Sequence, residues 1–128
     1  MTGPARTGVL IYAKHVANLS AFYQQLLGAR VVHADDDHHV LRFADGQLLI
    51  HATPAPFADA IEIAVPPVPR DDQTIKPFFT VASLADAEAM VVQGGGVLYG
   101  PVWPGPGMRV RNVCDVEGNI VHLRELVA

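Results

Sequence analysis

The chain has 128 residues, half of them hydrophobic and 17% charged, which is typical of one compact globular domain and excludes a disordered chain. A net charge of −4 without any basic stripe excludes a nucleic-acid partner. The single cysteine, Cys114, excludes an intrachain disulfide framework, and no apolar run approaches the ~20 residues that span a bilayer. Because the first residues also lack a signal-like segment, we expect a cytoplasmic protein that does not bind membranes.

The first half of the chain reads as β-α-β-β-β. An apolar, β-rich run predicts a strand over residues 9–13, and apolar residues at helical spacing predict a helix over 16–27 that ends at Gly28. Turn residues at 35–37 and 45–46 then separate three short apolar segments. These segments are predicted to be strands at 29–34, 40–43 and 47–52.

Residues 54–74 contain five prolines and are expected to form a linker, because proline fixes φ and cannot donate to a strand ladder. Within this linker, residues 61–65 are predicted to form a short edge strand. The earlier order then repeats, with a helix predicted over 84–93 and a Pro/Gly-rich loop over 104–107 that places Trp103 at a strand end. The strands of this half are predicted at 75–81, 97–102, 108–114 and 119–126.

The two halves are copies of one pattern. Sliding the chain by 68 residues places Gly28 on Gly96 and Leu10 on Phe78. In such a repeat each copy is a supersecondary unit that needs its neighbour to bury an apolar face. We therefore expect a single domain over residues 1–128, made of two modules. Module 1 covers about 7–53 and module 2 about 75–127.

Short motifs accompany this repeat: Phe22-Tyr23 and Leu27-Gly28 in the first half, Gly107-Met108-Arg109 and Asp115-Val116-Glu117-Gly118-Asn119 in the second. Together with the doubled β-α-β-β-β order they resemble the glyoxalase/bleomycin resistance/extradiol dioxygenase group, the vicinal oxygen chelate superfamily. The resemblance implies an α+β fold of two βαβββ modules whose open mixed sheet lines a cleft, often in a homodimer. It also implies a divalent metal in catalytic members, and a ligand bound without metal in drug-binding members.

The resemblance further implies four metal-ligand positions, on the first and last strands of each module. In this chain they fall on Gly8, Ile50, Lys76 and His122. Only the His122 imidazole suits a divalent ion. Gly8 has no side chain, Ile50 is apolar, and the Lys76 ammonium would repel a cation. We therefore expect neither a metal nor another cofactor. A one-residue shift of the fourth strand would turn His51 into the cleft instead of Ile50, and the sequence leaves this register open.

Strand alternation, with those four positions as guides, assigns a set of residues to the cleft. The inward positions are Leu10, Tyr12, Leu48, Ile50, Phe78, Thr80, Ile120, His122 and Arg124, with Tyr99 and Trp103 as walls of the mouth. Among these and Lys76, we expect ligand contacts from aromatic residues that could stack on a planar ligand and from cationic residues that favour an anion. The predicted ligand-binding residues are Tyr12, Ile50, Lys76, Phe78, Trp103, His122 and Arg124.

Each polar member of this set also has a structural interpretation. Lys76 could extend to solvent, Arg124 could pair with Asp115 or with Glu125 of a second copy, and His122 could be a satisfied interior imidazole. These interpretations stay open in the sequence.

The sequence thus favours a metal-free protein that binds a small organic molecule, and we expect it to form a homodimer. One alternative is a metal-dependent lyase or dioxygenase with an atypical ligand set built on His51 and His122, with further donors from Glu125 or Glu62. Another is a metal-free enzyme with His122 as the catalytic general base, since imidazole titrates in the useful range.

Overall fold

The computed structural model describes residues 5–127, and the chain divides into two compact units, with the division after Glu62 inside the predicted linker. Each unit contains a β-α-β-β-β module, as the resemblance implied. The first unit consists of β1 (Val9–Ala13), α1 (Val16–Leu27), β2 (Arg30–Ala34), β3 (His38–Phe43), β4 (Gly46–Ala52) and the short α2 (Ala55–Ala58). The second consists of β5 (Phe78–Thr80), α3 (Leu84–Gln93), β6 (Val97–Gly105), β7 (Met108–Cys114) and β8 (Ile120–Leu126).

The two units have the same sheet topology. The strand order is β1-β4-β3-β2 in the first sheet and β5-β8-β7-β6 in the second. In each sheet the first strand pairs in parallel with the last, and the other neighbours are antiparallel. The α+β class with two mixed four-stranded sheets is therefore confirmed.

Each module buries one face of its sheet beneath its helix. In the first unit Leu41 and Leu48 are fully buried on the side of α1, which supplies Phe22 and Tyr23. The helix ends as predicted, because Gly28 adopts the left-handed conformation (φ 59°) that side-chain-bearing residues rarely adopt.

The second unit repeats this packing around α3, which begins where the Ser83 side chain accepts a hydrogen bond from the backbone N–H of Asp86 (3.1 Å). Val113 and Leu123 are fully buried on the α3 side of the sheet. Among residues 5–127, neither α1 nor any other helix is long and apolar enough to cross a bilayer.

The linker and its neighbours differ from the prediction. The edge strand expected over 61–65 is wrong: these residues form no strand, and the linker contains α2 after Pro54. β5 is shorter than predicted because Pro77, directly before it, has no N–H to donate. β6 is longer than predicted and continues to Gly105, so Trp103 lies inside a strand and only a tight turn remains of the predicted loop.

Cys114 is fully buried at the end of β7, and burial raises the pKa of its thiol from 9.0 to about 11, with the nearby Asp115 charge adding to the effect. At a given pH the thiolate is then about 100-fold scarcer in the folded chain than in the unfolded chain. We expect iodoacetamide at pH 8 to label the folded protein at least this much more slowly than the protein in urea, as measured by intact mass. Equal labelling rates would contradict the buried position.

Candidate functional site

The eighth strand presents its residues alternately to α3 and away from it. Leu123 is buried on the α3 side, and Glu125 accepts a hydrogen bond from the backbone N–H of Leu84 at the start of α3 (2.9 Å). His122 and Arg124 therefore lie on the opposite side. We call this side, away from α3, the open face of the second sheet.

Strand pairing arranges the open face in two neighbouring rows that run across the four strands. Strands in a sheet lie ~4.8 Å apart, so residues paired across them are side-by-side neighbours. One row consists of Tyr99, Asn112, His122 and Phe78, and the other of Trp103, Val110, Arg124 and Thr80. Four of the predicted ligand-binding residues, Phe78, Trp103, His122 and Arg124, thus share one face.

His122 is held by a residue that the sequence analysis missed. Its Nδ1 lies 3.1 Å from Oδ1 of Asn112, which is nearly buried on the neighbouring strand β7. Because an amide oxygen can only accept, Nδ1 is the donor and Nε2 carries the lone pair of the neutral ring. The signal that could have found Asn112 is the β7–β8 hairpin, whose turn at residues 115–119 fixes which residue of β7 faces His122.

The surroundings of His122 favour its neutral form. Burial lowers the pKa of the imidazole below its usual value, and the positive charges of Lys76 and Arg124 lower it further. Within residues 5–127, Nε2 of His122 has no hydrogen-bond partner. His122 is therefore a hydrogen-bond acceptor close to two positively charged side chains.

Arg124 is fixed over an aromatic ring. Its guanidinium carbon lies 4.1 Å from the centre of the Phe78 ring, and its Nε donates to Oγ1 of Thr80 (2.9 Å). Stacking and hydrogen bonding together hold the planar guanidinium in place, with its two terminal nitrogens as a fixed fork of hydrogen-bond donors. No ion pair joins Arg124 to Asp115 within residues 5–127, and the Asp115 carboxylate accepts hydrogen bonds from the backbone N–H groups of Glu117 and Asn119.

The arginines of β7 and β8 differ in their partners according to the face they occupy. On the α3 side, Arg109 pairs with Glu125 (2.6 Å) and Arg111 pairs with Glu88 (3.3 Å). On the open face, Arg124 has no carboxylate partner within the described part of the chain. Its two terminal nitrogens are thus available to an anion.

The linker brings Lys76 to this site. The side-chain amide of Gln73 binds the backbone of Ile120 as a neighbouring strand would, accepting from its N–H and donating to its carbonyl (both 2.8 Å). Four residues later the Pro77 carbonyl accepts from the backbone N–H of His122 (2.9 Å). Tyr99, predicted as a wall of the mouth, donates its hydroxyl to Asp71 of the same linker (2.6 Å).

The first sheet corrects the predicted positions of two residues, Ile50 and Leu48. Tyr12 pairs with His51, the two rings lie 5.2 Å apart, and Tyr12 is 55% exposed. Ile50 and Leu48 are fully buried on the α1 side. The assignment of Ile50 and Leu48 to the same face as Tyr12 is therefore wrong, and His51 faces that side.

The metal-ligand positions implied by the resemblance do not fit a divalent ion. The 68-residue repeat equates Leu10 with Phe78, and strand pairing sets Leu49 beside Leu10 as it sets His122 beside Phe78. The position in the first module is thus Leu49, which is as apolar as the predicted Ile50. Among residues 5–127 no group of three or more His, Cys, Asp or Glu side chains could hold a metal ion.

His51 is not arranged as a metal ligand through Nδ1. That atom lies 2.7 Å from the carbonyl of Ala52, and because a carbonyl only accepts, Nδ1 is the donor. The His51 ring instead packs against Tyr12 and edge-on against His38, with the two histidine ring centres 4.4 Å apart.

Neither a family model nor a curated protein matches this chain. Solved structures do, and several of them are glyoxalase/bleomycin resistance/dioxygenase proteins, so the chain has the fold of that superfamily. One is a family enzyme from Burkholderia phytofirmans PsJN, with a TM-score of 0.75 and 16% identity over 97% of this chain and 100% of that chain.

Two further structures carry individual names. The genomically encoded fosfomycin resistance protein FosX from Listeria monocytogenes has a TM-score of 0.67 and 14% identity over 98% of this chain and 93% of that chain. TioX from Micromonospora sp. ML1 also has a TM-score of 0.67, with 15% identity over 98% and 100%. At these identities the similarity establishes the fold, and function has to be argued from the site.

Proposed function

We propose that the chain binds a small organic anion on the open face of the second sheet, without a metal ion. The observation that carries this proposal is the state of Arg124, whose guanidinium is fixed in place and lacks a carboxylate partner among the described residues, while Arg109 and Arg111 are paired. A carboxylate that binds the free fork gains charge-assisted hydrogen bonds. Little side-chain entropy is lost, because the fork is already ordered.

Exposed aromatic rings beside the fork extend the site for an organic ligand. Phe78 is 56% exposed and Trp103 is 41% exposed, although large aromatic side chains usually lie in cores. Lys76 adds a second positive charge, which also lowers the pKa of the His122 imidazole. An apolar surface with a few fixed polar groups is the usual composition of a small-molecule site.

The metal-free part of the proposal rests on the donor set. Neither Ile50, the predicted position, nor Leu49, which is equivalent to His122 in the structure, has a side-chain atom that can bind a metal ion, and Lys76 would repel one. The fold is in keeping with ligand binding, since neighbours with this fold are described as bleomycin or fosfomycin resistance proteins. Sequestration of a small compound is accordingly the role that we propose.

Replacing Arg124 with methionine is expected to raise the dissociation constants of carboxylates about 10- to 100-fold, because hydrogen bonds to charged groups contribute about 1.5–3 kcal/mol. The matched control is Arg109→Met, which removes an arginine from the α3 side of the same sheet. Affinities for benzoate, phenylacetate and indole-3-acetate would be measured by calorimetry at low salt, before and after dialysis against EDTA.

We expect Arg109→Met and EDTA to leave these affinities unchanged. Equal weakening by the two arginine variants would contradict a site on the open face, and loss of binding after EDTA would contradict a metal-free site. The proposal is also overturned if none of the three carboxylates binds at millimolar concentration.

A further inference from the structure

The hydrogen bond between Asn112 and His122 carries information about the ligand that the cationic groups do not. Asn112 is nearly buried, and its Oδ1 receives the Nδ1 proton of His122. Of the two neutral tautomers this bond selects the one in which Nε2 is an acceptor. Asn112 is therefore a positioning residue, which acts on a ligand only through His122.

An acceptor on this face calls for a donor on the ligand. Nε2 has no partner within residues 5–127, and a ligand that covered it without donating a proton would leave a desolvated nitrogen unsatisfied. A carboxylate cannot satisfy it, because an ionised carboxylate has only acceptor atoms. The anionic group of the ligand would thus bind Arg124, and a separate hydrogen-bond donor of the ligand would bind His122.

The two contacts lie close to a single aromatic ring of the protein. His122 and Arg124 are two positions apart on β8, which separates their Cα atoms by roughly 6.6 Å. Phe78 is the direct strand neighbour of His122, and Arg124 extends over the Phe78 ring. The anion-binding fork of Arg124 and the acceptor nitrogen of His122 are therefore close enough for one small aromatic ligand to contact both.

We propose that the site selects aromatic acids that carry a hydroxyl group, with the carboxylate bound by Arg124 and the hydroxyl donating to Nε2 of His122. This inference rests on the proposed function and narrows its ligand class. A hydroxyl group is the donor that fits best, since it is short and lies in the plane of the ring to which it is attached. An ammonium group fits less well, because Lys76 and Arg124 would repel it.

The test compares isosteric ligands. Calorimetry would measure wild-type affinity for 3- and 4-hydroxybenzoate against 3- and 4-fluorobenzoate, which are similar in size and charge and lack the donor. We expect at least one hydroxybenzoate to bind five- to tenfold more tightly than its fluorinated partner, the usual value of one added neutral hydrogen bond. If the fluorobenzoates bind as tightly as both hydroxybenzoates, the inference is overturned while the proposed function stands; if none of the four binds, both fall.

Two variants of Asn112 separate positioning from packing. Asn112→Leu removes the acceptor for Nδ1 and is expected to abolish the hydroxyl preference while retaining fluorobenzoate binding. Asn112→Asp keeps an acceptor at the same place but raises the pKa of His122, so it is expected to retain the preference at a pH where the ring is neutral. Imidazole ¹⁵N shifts of the wild type should show His122 protonated on Nδ1. Protonation on Nε2, a readout that needs no folded variant, would overturn the inference.

Discussion

Replacing Gly118 with alanine is expected to destabilise the protein by about 3 kcal/mol. Gly118 has φ +91°, where residues with a side chain lose about 1–2 kcal/mol. An added Cβ would also overlap the carbonyl oxygen of Val68, a backbone atom that cannot rotate away. Relief of this overlap would displace the linker or the turn, which costs a further ~1–3 kcal/mol.

Gly28 supplies the matched control. It is also left-handed (φ +59°), but a Cβ added there would meet no atom within 4 Å. Gly28→Ala is therefore expected to cost about 1 kcal/mol, the conformational part alone. Urea unfolding of both variants would measure the difference, and equal losses would show that the linker does not lie against Gly118.

This prediction bears on the candidate site because the linker and the turn are joined. The backbone N–H of Arg70 donates to the Gly118 carbonyl (2.9 Å), and Gln73 binds Ile120 at the start of β8. A shift of the linker would therefore move Lys76 relative to His122. We expect Gly118→Ala to weaken carboxylate binding as well, and Gly28→Ala to leave it unchanged.

The elements that the sequence predicts best are those determined by local patterns. The bounds of α1 and α3 agree with the predicted ranges to the residue, because apolar residues at helical spacing are followed by glycines. β1 and β7 also agree, since an apolar run or a turn limits each of them. In these segments propensity and tertiary packing favour the same conformation.

Long-range pairing explains the elements that the sequence missed. β6 continues past Gly100 and Pro101 because Trp103 pairs with Val110 of β7, a partner that no local pattern identifies. In the linker, the side-chain amide of Gln73 replaces the strand that the apolar residues at 61–65 led us to expect. Both features depend on hydrogen bonds between residues far apart in the chain.

The face on which a predicted site residue lies depends on the turn before its strand, and the turns before β4 and β8 differ. His122 lies four residues after Gly118, whereas Leu49, the equivalent position in the first module, lies only three residues after Gly46. Counting four residues from each glycine therefore reaches the open face at His122 but the buried face at Ile50, because strand faces alternate with every residue. Asn112 was missed for a related reason: its role depends on its cross-strand partner.

The register of β4 can be tested by two substitutions at neighbouring positions. Ile50→Ala is expected to lower the free energy of unfolding by about 2–5 kcal/mol, because the fully buried side chain would leave a cavity beneath α1. His51→Ala removes ring contacts with Tyr12 and His38 on the other face, where the expected cost is about 0.5 kcal/mol, as for most surface substitutions. Urea unfolding would measure both changes.

The sign of this difference separates the two registers. If β4 were shifted by one residue, Ile50 would share the face of Tyr12 and His51 would lie beneath α1, and His51→Ala would then be the more disruptive change. A larger loss at Ile50 leaves the first module with Leu49, an apolar residue, at the position equivalent to His122. Of the two equivalent positions, only His122 in the second module then offers a polar side chain to a ligand.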